Sequence, residues 1–385
     1  MNYSAILVSA GIVLSLAAPT QLFAASDEEK AAAEAYKKRV QLSKDIKKMR
    51  AMRKQLPVPP PSGLFGVYAF PEKGQFVTGI NYQKHKFSGL LEGSDSISAQ
   101  QTVLTAPNPF FGDPMQPPTL RVVPLSAEAD VAFPFVNYAI GDKVALVGLI
   151  PLIKKKTVLE TFAGGAPTMS LGTNTVTTDG IGDVKFGVLY KLYNSAGNDH
   201  NIVIDAVLSA PTGSIEEEDV QLTPMNTRVK ARLAYGMQLG SGTWDALVGL
   251  AYWGKDKKWG WGAQYLGTIP LEDENSEGWR YGDKHEATTW LSYAWEPTLN
   301  GNVRLRHEQQ GTIKGIDPKI YGPGLGANTD NYGGTRTEIA LGVNWMYAPA
   351  HNLSIEIAKP LSQDRNGVQV DHDQSLMVSW RNAFF

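Results

Sequence analysis

The feature that constrains this chain most is an alternation of apolar and polar residues with period two, which recurs along most of its length. In the segment 335–348, Leu341 and Val343 fall on one face, whereas Ala340 and Gly342 fall on the other. This period is that of a β-strand with two different faces. After the first 25 residues no run of eighteen apolar residues occurs, which excludes a membrane-spanning helix from that part of the chain. Any membrane residence there must involve strands.

The alternating segments predict an all-β fold. Short turns and longer loops alternate between them, as closed membrane barrels require. We therefore predict a closed antiparallel transmembrane β-barrel of about 12 strands over residues 63–385, with 10 or 14 strands as alternatives. Residues 227–239 belong to an outer loop in this scheme. The predicted strands are 75–88, 119–135, 143–157, 183–194, 199–210, 241–254, 258–270, 284–296, 301–314, 335–348, 352–362 and 373–385.

A soluble β-sandwich would show the same alternation, so other features must separate the two folds. Aromatic residues lie at strand ends on the apolar face, where membrane barrels carry interfacial girdles. The chain also stops within a strand on Phe384 and Phe385, which resembles the signal that outer-membrane barrels present to the barrel assembly machinery. Both features favour a bacterial outer-membrane location. The predicted girdle residues are Tyr82, Trp244, Tyr252, Trp259, Trp261, Trp295, Trp345, Tyr347 and Trp380.

The first residues predict export. Residues 1–25 contain an apolar core and end in small residues before a charged run, which is typical of a cleaved signal peptide. An uncleaved anchor helix is the alternative, since the region before the core lacks Lys and Arg. The core is short for a membrane span, which favours cleavage.

An arm and a linker separate this leader from the barrel. Residues 26–56 are rich in helix formers, and Leu42 and Met49 belong to a thin apolar stripe with a spacing of seven. The arm is interpreted as a periplasmic coiled coil that joins protomers through 27–56, as a segment that packs in or below a pore, or as a solvated spacer. Residues 57–62 are a proline-rich linker that cannot continue the helix.

Composition excludes several functional classes. The 36 Lys and Arg residues nearly balance the 38 Asp and Glu residues, and no basic face indicates a nucleic-acid partner. The sequence has no Cys, which excludes disulfides, thiolate metal sites and a Cys nucleophile. Its six histidines lack metal-ligand spacing. We therefore predict no enzyme activity, no catalytic residues, no metal and no cofactor.

The polar faces of the strands should line the lumen. We expect Arg304, Arg306 and Arg381 to face carboxylates on neighbouring strands. Such pairs would form either a constriction that selects permeants by charge or a structural ladder of ion pairs. The candidates for the lumen or constriction are Glu128, Asp130, Lys185, Asp205, Asp245, Glu286, Arg304, Arg306, Glu308, Glu338, Glu356 and Arg381.

Three glycine-containing blocks, 179–186, 208–214 and 237–245, resemble the outer-membrane transporter family named for the MetA pathway of phenol degradation. The likeness extends from about residue 60 to the C-terminus. It implies an exported barrel that admits small, often aromatic or hydrophobic, molecules. Some relatives carry a His- and Met-rich entrance near the first strand. Residues 63–70 lack such ligands, so metal handling is not implied here.

Together these observations predict an outer-membrane channel for passive uptake of small solutes, in contact with membrane lipid and lipopolysaccharide. The alternative is a plugged or structural barrel that forms homo-oligomers or docks a periplasmic partner through its N-terminal helix.

Overall fold

The computed structural model describes residues 34–41, 58–66, 71, 73–195, 199–348 and 351–384. The chain forms two compact units, Met1–Gln55 and Leu56–Phe385. In the first unit the described residues, 34–41, are helical and mostly exposed. The predicted signal peptide, the rest of the arm and Phe385 lie outside the described residues. None of the described helices is long and apolar enough to cross a membrane.

The second unit consists mainly of β-strands, in agreement with the alternation. One short helix, Ala99–Thr105, begins with a capping box in which Ser98 and Gln101 bond reciprocally. Two 3-10 turns, Tyr235–Met237 and Leu325–Ala327, lie in long connections. The strands are β1 Phe76–Gly93, β2 Asp95–Ile97, β3 Val122–Ala139, β4 Val144–Leu149, β5 Leu152–Phe162, β6 Ser170–Ile181, β7 Lys185–Asn194, β8 His200–Ser209, β9 Glu218–Leu222, β10 Arg228–Arg232, β11 Asp245–Asp256, β12 Trp259–Pro270, β13 Trp279–Arg280, β14 Lys284–Glu296, β15 Leu299–Gln310, β16 Lys314–Gly315, β17 Gly334–Ala348 and β18 His351–Phe384.

Eleven of these strands close into an antiparallel barrel. Their order is β1-β18-β17-β15-β14-β12-β11-β8-β7-β4-β3, and β3 pairs with β1 to complete the ring. The closing ladder is long, from Phe76↔Tyr138 to Ser88↔Ser126. Closure leaves the barrel without an unpaired sheet edge, as the sequence predicted.

The count differs from the predicted twelve because the last two predicted strands are one continuous strand, β18. A ring in which all neighbours are antiparallel needs an even number of chain passes, so one of the eleven strands must pass twice. The first part of β18 pairs with β17 up to Arg365, and the remainder pairs with β1. The strand therefore reverses direction near Gly367, whose φ of 56° suits a tight reversal.

Three further strands, β2, β5 and β6, extend the sheet outside the ring. The prediction of a loop over 158–182 is wrong, since most of this segment belongs to the β5–β6 ladder. Pro151 separates β4 from β5 because it has no backbone N–H to donate. Residues 227–239 do not cross the barrel, as predicted, and β9 and β10 form a separate hairpin.

The two ends of the barrel differ. One end, here called the turn end, carries short connections, such as those between β11 and β12 and between β14 and β15. The start of β1 and the end of β18 also lie there. The loop end carries the long connections. There, Tyr235 and Trp279 are fully buried in an apolar cluster. The loop-end connections are therefore packed together as a cap.

The two faces of the wall have opposite chemistry. On β17, Leu341 is 62% exposed on the outer face, whereas its neighbour Ala340 is 2% exposed on the inner face. Asn344 on the inner face is also fully buried. In a soluble sandwich the apolar face would be the buried one. The structure has the reverse arrangement, with apolar side chains outside and polar side chains inside.

Candidate functional site

Residues 58–66, here called the plug segment, lie inside the barrel against its inner wall. Three prolines leave the segment with few N–H donors, so its carbonyls are the groups that need partners. The wall supplies side-chain amides: Asn81 Nδ2 donates to the carbonyl of Ser62 at 3.2 Å, and Asn344 Nδ2 donates to that of Pro60 at 3.4 Å. Gln264 also donates to the carbonyl of Phe65. The segment predicted as a linker thus occupies the bore.

Two glycines allow this segment to approach charged wall residues. A Cβ at Gly63 would lie 2.7 Å from Arg304 Nη2, and one at Gly66 would lie 2.7 Å from Asp205 Oδ1. Gly66 also has a φ of 72°, which disfavours other residues. Between the glycines, Leu64 packs with Trp290 and Ala251. A side chain at either position would require the neighbouring wall side chain to shift, and the positive φ adds a backbone strain at residue 66.

Beside the plug segment the bore contains a cavity of about 340 Å³, the turn-end cavity. Its wall is mixed, with Phe133 and Phe135 on one side and polar groups on the other. Five charged side chains line it: Lys185, Lys284, Glu286, Arg306 and Arg381. This part of the bore is narrow and strongly polar.

Ion pairs join neighbouring strands along the inner wall. Arg304 Nε donates to Glu356 Oε1 at 3.1 Å, and both side chains are almost completely buried. Arg306 Nη1 donates to Glu286 Oε1 at 3.0 Å, and its Nε donates to Glu338 Oε2 at 2.9 Å. The structure thus brings Arg304 and Arg306, two of the three predicted arginines, together with predicted carboxylates.

The fourth predicted carboxylate, Glu308, pairs with cations that the sequence analysis missed. Arg336 Nη2 and Lys284 Nζ each lie 3.2 Å from Glu308 Oε2. Arg336 and Lys284 lie at positions of β17 and β14 where the alternation points side chains inward. This alternation could have identified them from the sequence. The resulting cluster satisfies buried charge across adjacent strands.

Asp130 is corrected by the structure, because it points to the outer face; Glu128 pairs with Lys84 on that face and also borders a cavity. On β3 the odd-numbered residues, such as Phe133 and Phe135, line the bore, so the even-numbered residues point outward. Lys84 Nζ lies 3.0 Å from Glu128 Oε2 and 3.5 Å from Asp130 Oδ1. The sequence analysis assigned the polar face of β3 to the lumen, but this half of β3 lies toward the loop end, where the outer face is polar and the inner face is apolar.

The three remaining lumen candidates differ in their hydrogen-bond partners. Lys185 Nζ donates to Ser209 Oγ at 2.8 Å. Asp245 accepts from Thr243 Oγ1 at 2.7 Å and from Ser241 Oγ at 3.1 Å. Asp205 is fully buried, and neither of its carboxylate oxygens has a hydrogen-bond partner among the residues that the structure describes. Asp205 is therefore a buried acid that faces the plug segment without a compensating group.

A chain of His and Ser side chains adjoins the ion pairs. Ser375 Oγ lies 3.0 Å from His372 Nε2 and 2.9 Å from His85 Nδ1, and His372 Nδ1 lies 3.0 Å from Glu338 Oε1. The order of groups is that of a Ser-His-Glu triad. However, Ser375 is buried and lines neither cavity described here. The arrangement is a polar layer across the bore rather than a nucleophile with access to substrate.

Most of the predicted girdle residues project from the outer face. Trp244, Trp259, Trp295, Trp345, Tyr347 and Trp380 are each at least 39% exposed, whereas Tyr82, Tyr252 and Trp261 are half-buried. Many of them lie near the turn end, where Trp380 Nε1 donates to the Tyr347 hydroxyl. Phe384 stacks on Phe76 with ring centroids 5.1 Å apart. The aromatic residues are thus concentrated along one rim of the apolar outer face.

A second and larger cavity, of about 710 Å³, lies toward the loop end and is here called the loop-end cavity. On β3 it is lined by residues 122–129, whereas residues 133–137 line the turn-end cavity. The two cavities are therefore stacked along the barrel. Burial raises the pKa of Tyr332 in the wall well above its usual value, so this phenol stays neutral. Apolar wall residues include Val122, Leu159, Val176, Leu222, Leu233, Met237, Ile320 and Val370.

These features define a closed antiparallel barrel that is apolar outside, obstructed at its turn end, and hollow and apolar at its loop end. Its fold is similar to that of an outer membrane channel from Pseudomonas putida F1. That structure is 15% identical with a TM-score of 0.53, and the match covers 85% of this chain and 100% of the other.

More distant similarities are found to a mutant of TodX, a monoaromatic hydrocarbon channel, at 11% identity and a TM-score of 0.43, covering 82% and 91% of the two chains. A FadL homologue of Pseudomonas aeruginosa matches at 8% identity and a TM-score of 0.41, covering 81% and 90%. No family model and no curated protein matches the sequence. The resemblance to the MetA-pathway family therefore stays an expectation from its residues.

Proposed function

We propose that this protein is an outer-membrane transporter through which small hydrophobic solutes enter passively. The observation that carries the proposal is the loop-end cavity, an apolar space of about 710 Å³ between the barrel wall, the strands that extend it and the loop-end connections. Cavities of this size and lining suit a small apolar molecule. The P. putida structure with the same fold is an outer membrane channel, which supports the proposal at the level of fold.

The outer face supports a membrane location. Large apolar side chains such as Leu341, Ile355 and Ile357 are more than 45% exposed there, which water would penalise and lipid favours. Membrane lipid, together with lipopolysaccharide, would then be the partner of this face. The terminal aromatic strand would serve recognition by the barrel assembly machinery, and the N-terminal residues 1–25 would direct export.

The proposal is tested with a cavity-filling substitution and a matched control on the same strand. Ala127→Trp places an indole in the loop-end cavity, whereas Ala132→Trp places one on the outer face of β3. Uptake of radiolabelled toluene is measured in Gram-negative host cells that carry the full chain or an empty vector. We expect uptake above the vector level for the wild type and for Ala132→Trp, and uptake at the vector level for Ala127→Trp.

A second candidate function is a structural barrel, and the obstruction of the bore by the plug segment favours it. Under that hypothesis the wild type would take up no more toluene than vector cells and would show no conductance steps in planar bilayers. Deletion of residues 26–56 would then dissociate an oligomer or release a periplasmic partner. Equal uptake by the wild type and Ala127→Trp would also contradict the transport proposal.

A further inference from the structure

The loop-end cavity contains a cation that its apolar wall does not explain. Lys155 lies on β5 and lines the cavity beside Met237 and Thr157. The neighbouring residues Lys154 and Lys156 are exposed, because alternate residues of the strand point to opposite faces. Lys155 is thus the inward-facing lysine of three consecutive lysines. A cavity that takes only neutral hydrocarbons would have no use for it.

The Lys155 ammonium has no acidic partner among the described residues. It donates to two backbone carbonyls, those of Gly236 at 3.0 Å and Gln238 at 2.6 Å. No ion pair joins it to a described carboxylate, although Asp183 and Glu217 lie near enough to favour its charged form. Glu128 also borders the cavity, but its carboxylate pairs with Lys84 on the outer face. The ammonium has three donors, so one remains for a further acceptor.

A cation without a direct ion-pair partner at an apolar wall favours a ligand that brings its own anion. A partly desolvated ammonium gains more from a carboxylate than from a neutral acceptor, because charge-assisted hydrogen bonds are about twice as strong. An apolar body of one or two rings would fill the remaining space.

We propose that the loop-end cavity binds amphipathic organic acids, with an aromatic or aliphatic body against the apolar wall and a carboxylate on Lys155. This inference rests on the proposed function and specifies its substrate class. The carboxylate is the recognition element, and it orients the ligand so that its polar end lies at Lys155. The apolar body alone would bind more weakly and without a fixed orientation.

The test compares an acid with its uncharged ester. Binding of 2-naphthoate and of methyl 2-naphthoate to the full chain in lipid nanodiscs is measured by calorimetry, with empty nanodiscs subtracted. Lys155→Met removes the charge and keeps the length of the side chain, and Lys154→Met is the matched control on the outer face. We expect the wild type and Lys154→Met to bind the acid about tenfold more tightly than the ester. Lys155→Met should bind the two equally.

The pH dependence gives a second readout on the unaltered protein. Burial lowers the pKa of Lys155 to about 8, and the carboxylates of Asp183 and Glu217 oppose this shift. The ligand carboxylate stays ionised above pH 6. The preference for the acid should therefore be present at pH 7 and decline as Lys155 loses its proton between pH 7 and 9.

The outcomes separate this inference from the proposed function. Equal binding of acid and ester by the wild type overturns the inference and leaves a cavity for hydrophobic solutes in place. An equal loss of affinity for the acid and the ester in Lys155→Met would also overturn it, because that result indicates a structural role for the lysine. Failure of the wild type to bind either ligand would contradict the proposed function itself.

Discussion

Buried charges in this protein occur in two environments, one with partners and one without. Glu356 is held by Arg304, and Asp245 accepts two hydroxyl donors. Within the described part of the chain, no hydrogen-bond donor reaches either carboxylate oxygen of Asp205. An unpaired buried polar group costs about 1–3 kcal/mol, and more if it is charged. Asp205 should therefore reduce the stability of the barrel.

This difference predicts opposite effects for the same substitution at two positions. Asp205→Asn removes an uncompensated acid and should raise the free energy of unfolding by about 1–3 kcal/mol. Asp245→Asn weakens acceptors that are already satisfied and should lower it by about 1 kcal/mol. Urea titration of the barrel in lipid vesicles measures both. A less stable Asp205→Asn would mean that the carboxylate has a stabilising partner in the membrane.

At the scale of elements, the plug segment and the wall are matched by backbone chemistry. The carbonyls of the proline-rich stretch accept hydrogen bonds from side-chain amides of the wall. Glycines occupy the positions where the segment comes closest to wall side chains. Glycine at residue 66 meets two requirements, a positive φ and a close approach to Asp205. The contact depends on the absence of a side chain.

Enlarging this residue should displace the plug segment. Gly66→Val would clash with Asp205 and is expected to raise the single-channel conductance of the protein in planar bilayers severalfold. Gly74→Val is the control, because Gly74 also has a positive φ, 83°, but a Cβ added there would meet no atom within 4 Å. Unchanged conductance in Gly66→Val would indicate that the ion-paired layer around Arg306, rather than the plug segment, closes the bore.

At the scale of the whole molecule, the barrel has apolar residues on its outer face and polar residues on its inner face, which is the reverse of a soluble protein. The outer face carries exposed Leu, Ile and Val, and the inner face carries buried Asn, Arg and Glu. Under the proposed membrane location, lipid is the solvent of the outer face, and polar groups lie inside because lipid cannot satisfy them.

One substitution separates a lipid environment from water. Leu341→Arg should destabilise the barrel in vesicles by about 2–4 kcal/mol, because a cation near the middle of the lipid-facing wall loses its hydration. Leu104→Arg, at an exposed loop-end position, should change stability by less than about 0.5 kcal/mol. If both substitutions are neutral, Leu341 faces water and the membrane assignment fails.

The sequence by itself determined the strands and their two faces, because period two is a local property that any β-strand must express. It therefore predicted a closed antiparallel barrel and the facing of Arg304 and Arg306 to carboxylates on adjacent strands. It placed Asp130 on the wrong face, since alternation gives two faces without saying which of them meets the bore.

Only the tertiary structure decided how the bore is used. Three findings depend on contacts between residues far apart in the chain: most of the predicted linker and the first residues after it lie in the bore, Asp205 has no hydrogen-bond partner among the described residues, and Lys155 borders an apolar cavity. Such contacts leave no periodic signal in the sequence. They arise from how the strands close and how the long connections pack across the open end, and closure is a property of the whole ring.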